Sequence, residues 1–175
     1  RRDRFTRVLQ GHIALASAVF PPDTSGYQLD ILARRPLWNA GLDYAHGTGH
    51  GVGTYLGVHE GPQSIAKKAP WVPLRPGMIL SNEPGYYREG AFGIRIENLV
   101  VVSEAEPLPG GDISAKLCFE TLNFLPIDRR LIETQILTAA ERVWLDAYHA
   151  QCRDKIKPRL SAQARLWLDQ ATQPL

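Results

Sequence analysis

The chain has no apolar run approaching the roughly 20 residues that span a bilayer. It has two cysteines, Cys118 and Cys152, and a single methionine, Met78, far from its start. The missing run and a mean hydropathy of −0.21 argue against a membrane-spanning segment and predict no membrane partner. Two cysteines cannot build a disulfide framework, which fits free thiols in a reducing, cytoplasmic compartment. Charge of one sign is also missing: Lys plus Arg number 20 against 18 Asp plus Glu, a formal charge of +2. A near balance argues against a chain whose main task is to hold nucleic acid. No internal repeat and no low-complexity tract is present.

What is present is an ordinary globular composition, with 44% hydrophobic residues in 175. That is about one domain's worth, long enough to bury a core without staples. The opening stretch places Phe5, Val8, Leu9, His12, Ile13, Ala16, Val19 and Phe20 at three- and four-residue steps. This is the period of one helix face, and Pro21-Pro22 is expected to end it. A chain that starts inside an amphipathic helix reads as part of a larger protein.

A second helix is expected after Thr24 or Ser25, broken or restarted at Pro36 and closed at Gly41. Residues 46–53, HGTGHGVG, carry glycine at every second position. Each glycine would lose about 1 kcal/mol in a helix interior, so this segment predicts a tight loop. Residues 61–76 hold four prolines and read as a surface connection. Strands are expected at 78–83, 93–102 and 116–125, with a loop at 105–111. Thr138 and Glu141 form a capping box for a long helix over 139–157. Pro158 interrupts it, and Ser161 caps a last helix. The order predicts an α+β fold with helices packed on one antiparallel sheet.

The candidate chemistry lies in the middle. His46, His50 and His59 cluster around the glycine-rich segment, and imidazole is both a common metal ligand and the usual acid–base at neutral pH. His12 and His149 sit in helical patterns and read as structural or surface residues. Within the 78–83 strand, Ile79, Ser81 and Glu83 share one face. In the next strand Arg95 and Glu97 share a face, whereas Ile94, Ile96 and Leu99 cannot all do so in strict alternation. Folding the connection about Gly90 brings Glu83 near Glu97 across the ladder. Two carboxylates about 4 Å apart repel by about 4 kcal/mol at an effective dielectric of 20. A divalent cation would neutralise them, and so would Arg95, which leaves a plain charge ladder as the competing reading. One nitrogen and two carboxylates (His50, Glu83, Glu97) suit Mn, Zn, Fe or Co.

HGTGHGVG, VHEGPQ, LSNEPGYY and GIRIENLVVV, in that order, resemble the pita-bread metallopeptidases, and within them the Xaa-Pro aminopeptidases. The tail, FETLNFLPIDRRLI followed by LTAAERVWLDAYHA, is similar to the C-terminal extension of the longer, three-domain members; prolidase and methionine aminopeptidase share the core without this tail pattern. The resemblance implies the C-terminal part of a pita-bread catalytic domain over residues 1–125 and a helical extension over 126–175. It implies His50, Glu83 and Glu97 as metal ligands, Glu83 also shuttling a proton and Glu97 bridging two divalent ions. Mn is the implied metal, with Zn or Co as alternatives. His46 and His59 would hold substrate and stabilise the tetrahedral intermediate, and Arg95 would support the site electrostatically. The implied substrate is a peptide with proline at its second position, and the implied assembly is a homodimer.

The family also uses two aspartates on strands that come just before the first helix. Asp3, Asp23, Asp30 and Asp43 do not match those positions. The expectation is therefore a catalytic piece that by itself binds metal weakly, singly or not at all and has no useful peptidase activity. A non-catalytic pita-bread domain that binds peptides or partners is the alternative of another class, and an Xaa-Pro dipeptidase is the alternative enzyme.

Overall fold

The computed structural model describes residues 1–55, 57–107, 109–112 and 115–175. Helix α1 (Arg2–Ala16) buries Phe5, Val8, Leu9, His12 and Ile13, the face that the periodicity marks. It stops before Pro21-Pro22, however. Ser17 turns both its N–H (2.9 Å) and its hydroxyl (2.7 Å) onto the Ile13 carbonyl and closes the last turn. The next residues become strand β1 (Val19–Phe20), paired with residues 117 and 118 far along the chain. Val19 and Phe20 therefore leave the helix because a β-branched and an aromatic side chain suit a sheet edge better.

Helix α2 (Gly26–Trp38) starts on a capping box between Ser25 and Gln28. Pro36 neither breaks nor restarts it. A proline in the last turn removes one hydrogen bond near an end where few remain, and the bonds from Asn39 to Arg35 and from Leu42 to Leu37 hold the exit. Gly41, with φ +69°, supplies the left-handed turn that follows.

The glycine-rich segment is not wholly a loop. It contributes strand β2 (Gly49–His50), antiparallel to β3 (Ser64–Ile65), which lies in the stretch expected to be only a connection. Gly51 also bridges to Leu80. A Cβ on Gly49 would stand 1.9 Å from the Ser81 carbonyl oxygen, so only glycine lets the two backbones approach.

The single strand expected over 93–102 is two. After β4 (Ile79–Asn82), strands β5 (Gly85–Arg88) and β6 (Phe92–Arg95) form a hairpin of their own, while β7 (Asn98–Glu104) pairs back with β4. The break falls at Ile96–Glu97, where the alternation of Ile94, Ile96 and Leu99 fails. Both ladders nevertheless keep one register: Asn82 opposes Asn98 and Gly85 opposes Arg95, so Glu83 falls opposite Glu97. Strand β8 (Leu117–Thr121) is shorter than the 116–125 expected. The main sheet runs β1-β8-β7-β4, all antiparallel. The described residues of 105–111 are irregular, as expected, and Leu108 lies outside the described residues.

Helix α3 (Ala139–Ile156) carries the Thr138–Glu141 capping box, a short 3-10 turn follows at Pro158, and Ser161 caps α4 (Ala162–Ala171). Leu145, Tyr148 and Cys152 of α3 join Phe5, Val8, Leu9 and Ile13 of α1 in one core cluster. The buried face of α3 is thus a packing face against the rest of the chain. A second cluster, with Leu80, Val100, Val102 and Phe119, joins the sheet to α2. Among the described residues no helix is long and apolar enough to cross a membrane.

Candidate metal centre

Three contacts, two of them between backbones, bring β2 onto the end of β4. The His50 N–H donates to Ser81 Oγ at 3.0 Å, Gly51 bridges Leu80, and the Glu83 N–H donates to the Thr48 carbonyl at 2.8 Å. Ser81 in turn donates to Glu83 Oε1 at 2.8 Å, the same-face contact that strand alternation predicts. Glu83 is a buried carboxylate with 8% of its surface exposed. A charge in that setting must be paired. Its Oε1 lies 3.2 Å from His50 Nε2, and its Oε2 lies 3.4 Å from Arg95 Nη1.

The histidine tautomers follow from their neighbours. A carbonyl only accepts, so His50 Nδ1 donates to the Gly51 carbonyl at 3.0 Å. In the neutral ring this turns the Nε2 lone pair toward Glu83. Two lone-pair atoms 3.2 Å apart need a proton or a cation between them. His46 Nδ1 likewise donates to the Gly47 carbonyl at 2.7 Å, and its Nε2 meets the Tyr87 hydroxyl at 3.0 Å. Tyr87 also accepts from Arg95 Nε at 2.9 Å. This bond, together with the carboxylates of Glu83 and Glu97, raises the Arg95 pKa further above its ordinary value. The result is a polar chain from Arg95 through Tyr87 to His46. His59 is exposed and lies against His50, with ring centroids 4.1 Å apart.

The site residues named from sequence therefore gather at one corner of the sheet, with one qualification. Glu97 is exposed, and among the described residues no three His, Cys, Asp or Glu side chains converge as a metal-binding group. Arg95 takes up the free oxygen of Glu83, as the charge-ladder reading anticipates. His50 and Glu83 fit a divalent ion by the chemistry of their facing donors, one imidazole nitrogen and one carboxylate oxygen; Glu97 stands across the register as a further carboxylate. Three of the four aspartates set aside above are paired elsewhere: Asp3 with Arg4 and Arg7, and Asp30 and Asp43 with Arg34. Sequence reasoning passed over Tyr87. Its only signal is its place on the NEPGYY strand, where Tyr87 and Arg95 fall on neighbouring strands of one hairpin.

A profile of metallopeptidase family M24 matches residues 1–104, and one for the C-terminal region of peptidase M24 matches residues 116–175. The chain is 50% identical over 172 residues to aminopeptidase P1 of Lotus japonicus, with 98% of this chain and 26% of that protein covered. It is 51% identical over 176 residues to aminopeptidase P2 of Arabidopsis thaliana, covering 99% of this chain and 25% of that protein. An X-prolyl aminopeptidase from Caenorhabditis elegans, described as a cytosolic enzyme with a di-nuclear active site, superposes with a TM-score of 0.92 at 38% identity. That superposition covers 99% of this chain and 29% of the other. The chain thus spans about a quarter of the length of these curated relatives. The ordered motifs, the antiparallel sheet with its helices and the two matched regions agree: the chain belongs to metallopeptidase family M24 and has its pita-bread fold.

Proposed function

We propose that this chain forms part of a metal-dependent aminopeptidase that removes an N-terminal residue preceding proline. The observation that carries the reading is the facing pair of His50 Nε2 and Glu83 Oε1, on the motifs that resemble the family's ligand motifs. In this reading His50, Glu83 and Glu97 would be the side chains of this chain that hold divalent ions. Mn is the metal that the family resemblance implies, with Zn or Co as alternatives; mixed imidazole and carboxylate donors suit all three. Bound there, divalent cations would acidify a shared water and polarise the scissile carbonyl.

The chain's own residues do the rest. Glu83 takes up and returns a proton at a carboxylate oxygen, held in place by Ser81 and Arg95. His46 and His59 flank the cluster and orient the substrate carbonyl and proline. Arg95, tied to Tyr87, offsets part of the negative charge of the two carboxylates. Residues 1–125 act as the catalytic part and 126–175 as an extension packed on it. The match of the curated aminopeptidases over nearly the whole chain, tail included, favours aminopeptidase over dipeptidase. The active assembly is a homodimer, which sedimentation of the full-length protein tests directly.

The same reading holds that these 175 residues alone turn over no Xaa-Pro peptide, since among the described residues no three His, Cys, Asp or Glu side chains converge to hold a metal ion. Turnover by the isolated chain would contradict it. For the full-length protein, Mn2+-dependent release of the first residue from an Xaa-Pro peptide is expected. Glu83→Gln should lower kcat by about a thousandfold, since it loses both a ligand and a proton carrier. Glu97→Ala should abolish binding of one Mn2+ in a titration; unchanged stoichiometry would remove Glu97 from the ligand set.

A further inference from the structure

A second charged cluster lies behind the first, and it is buried. Arg34 is 1% exposed, Asp30 2% and Thr48 0%. Arg34 sits on α2 and directs its fork at four acceptors. Its Nε donates to Asp30 Oδ2 at 2.6 Å, and its Nη1 donates to Asp43 Oδ1 at 2.8 Å and to the Tyr44 carbonyl at 2.7 Å. Its Nη2 donates to the His46 carbonyl at 2.8 Å. The guanidinium also lies 4.0 Å from the centre of the Tyr44 ring. Two of these acceptors are backbone carbonyls of the segment that carries His46.

The other oxygen of Asp30 continues the path. Thr48 Oγ1 donates to Asp30 Oδ1 at 2.5 Å and accepts from the Tyr44 hydroxyl at 2.5 Å. The carbonyl of Thr48 receives the N–H of Glu83, and two residues on stands His50. The pair thus holds the chain on both sides of Gly47, Arg34 at the Tyr44 and His46 carbonyls and Asp30 at the Thr48 hydroxyl, in a segment whose glycines would otherwise leave it many conformations. A planar fork does this better than a point charge, because each N–H has a set direction.

We propose that the Asp30–Arg34 pair is a positioning device for the His46, His50 and Glu83 cluster, acting through Thr48. Neither residue touches substrate or metal; each acts on the loop geometry that sets His50 Nε2 against Glu83. The inference rests on the metal-site reading above. A merely structural network would lose stability without the Thr48 hydroxyl, since Asp30 would keep an unpaired buried oxygen, but Mn2+ affinity and kcat would not change. A positioning pair needs that hydroxyl and the direction of the fork.

The test uses the full-length protein with Mn2+ alone as the probe, free Mn2+ being read by EPR, and an Xaa-Pro peptide for kinetics. Thr48→Val is close to isosteric and removes the link to Asp30. It is expected to weaken Mn2+ binding and lower kcat by about tenfold each, the range found when groups behind a metal ligand are removed, with KM within twofold. Thr48→Ser keeps the hydroxyl and should restore both. Arg34→Lys keeps the charge and loses the fork. It should match Thr48→Val, and it carries the test if that variant does not fold. Mn2+ affinity and kcat within twofold of wild type in folded Thr48→Val or Arg34→Lys would overturn the proposal. So would a Thr48→Ser variant as impaired as Thr48→Val. A wild-type protein that binds no Mn2+ would instead sink the metal-site reading itself.

Discussion

Asp43 shows how environment sets the behaviour of a single residue. Partial burial works against its charge, yet Lys67, the Tyr44 N–H and Arg34 outweigh this and hold its pKa at about 2. A carboxylate depressed in the fold contributes stability above its unfolded pKa of about 4 and loses it as pH falls toward 2. Two buried histidines act in a higher window. Burial lowers His12 and His149 to about 4 each, while both return to about 6.5 in the unfolded chain. Their neutral forms favour the fold above pH 6.5, and that contribution drains away as pH falls to 4, by at most about 1.4 kcal/mol per pH unit for each. Melting temperatures should therefore fall in two stages, from pH 6.5 to 4 and again below 4. A melting temperature that stayed flat between pH 7 and 4 would contradict the histidine assignment.

Helical spacing reads His12 and His149 as structural or surface residues, and their burial decides for the first. The Asp30–Arg34 pair was not legible, because an i, i+4 acid–base pair on a helix looks the same in sequence whether it faces water or the core. Only the packing of residues 43–48 over α2 decides that.

At the scale of elements, periodicity located the helices and tertiary pairing decided their ends. The apolar period of α1 runs on through Val19 and Phe20, but the sheet takes both residues for β1. In the same way, the failed alternation at Ile96 marked a break that the residue types alone would have bridged. Helix α1 crosses α2 at Gly11, where a Cβ would stand 2.1 Å from the Ala33 carbonyl oxygen. In an isolated helix, Gly11→Ala would gain about 1 kcal/mol of propensity. Here the clash is with backbone, which cannot swing aside, so a net loss of about 1–3 kcal/mol is expected. Urea denaturation measures it; a stabilised variant would show that the helices do not pack this closely in solution. Gly49→Ala should act more locally: pushing β2 away from Ser81 should weaken Mn2+ binding more than it lowers stability.

At the scale of the whole molecule, the two regions that match the family meet inside one sheet. The first ends at residue 104 and the second begins at 116, and across that gap Glu104 stands directly opposite Leu117 in the β7–β8 ladder. Strand β8 then carries β1 on its other edge, which ties the end of the first helix to the start of the tail. The tail is therefore woven into the fold through five paired positions on one side of β8 and two on the other. A covalent break between these regions would leave its two ends already aligned. The chain should thus tolerate being made as two polypeptides divided between residues 105 and 115, which find each other and reassemble without a linker. Co-elution of the two pieces as one species, with a single melting transition, is the expected result. Two independently behaving pieces would mean that the ladder needs the intact loop to form. If they do associate, the division offers a way to vary the tail of this protein independently of its metal-site half.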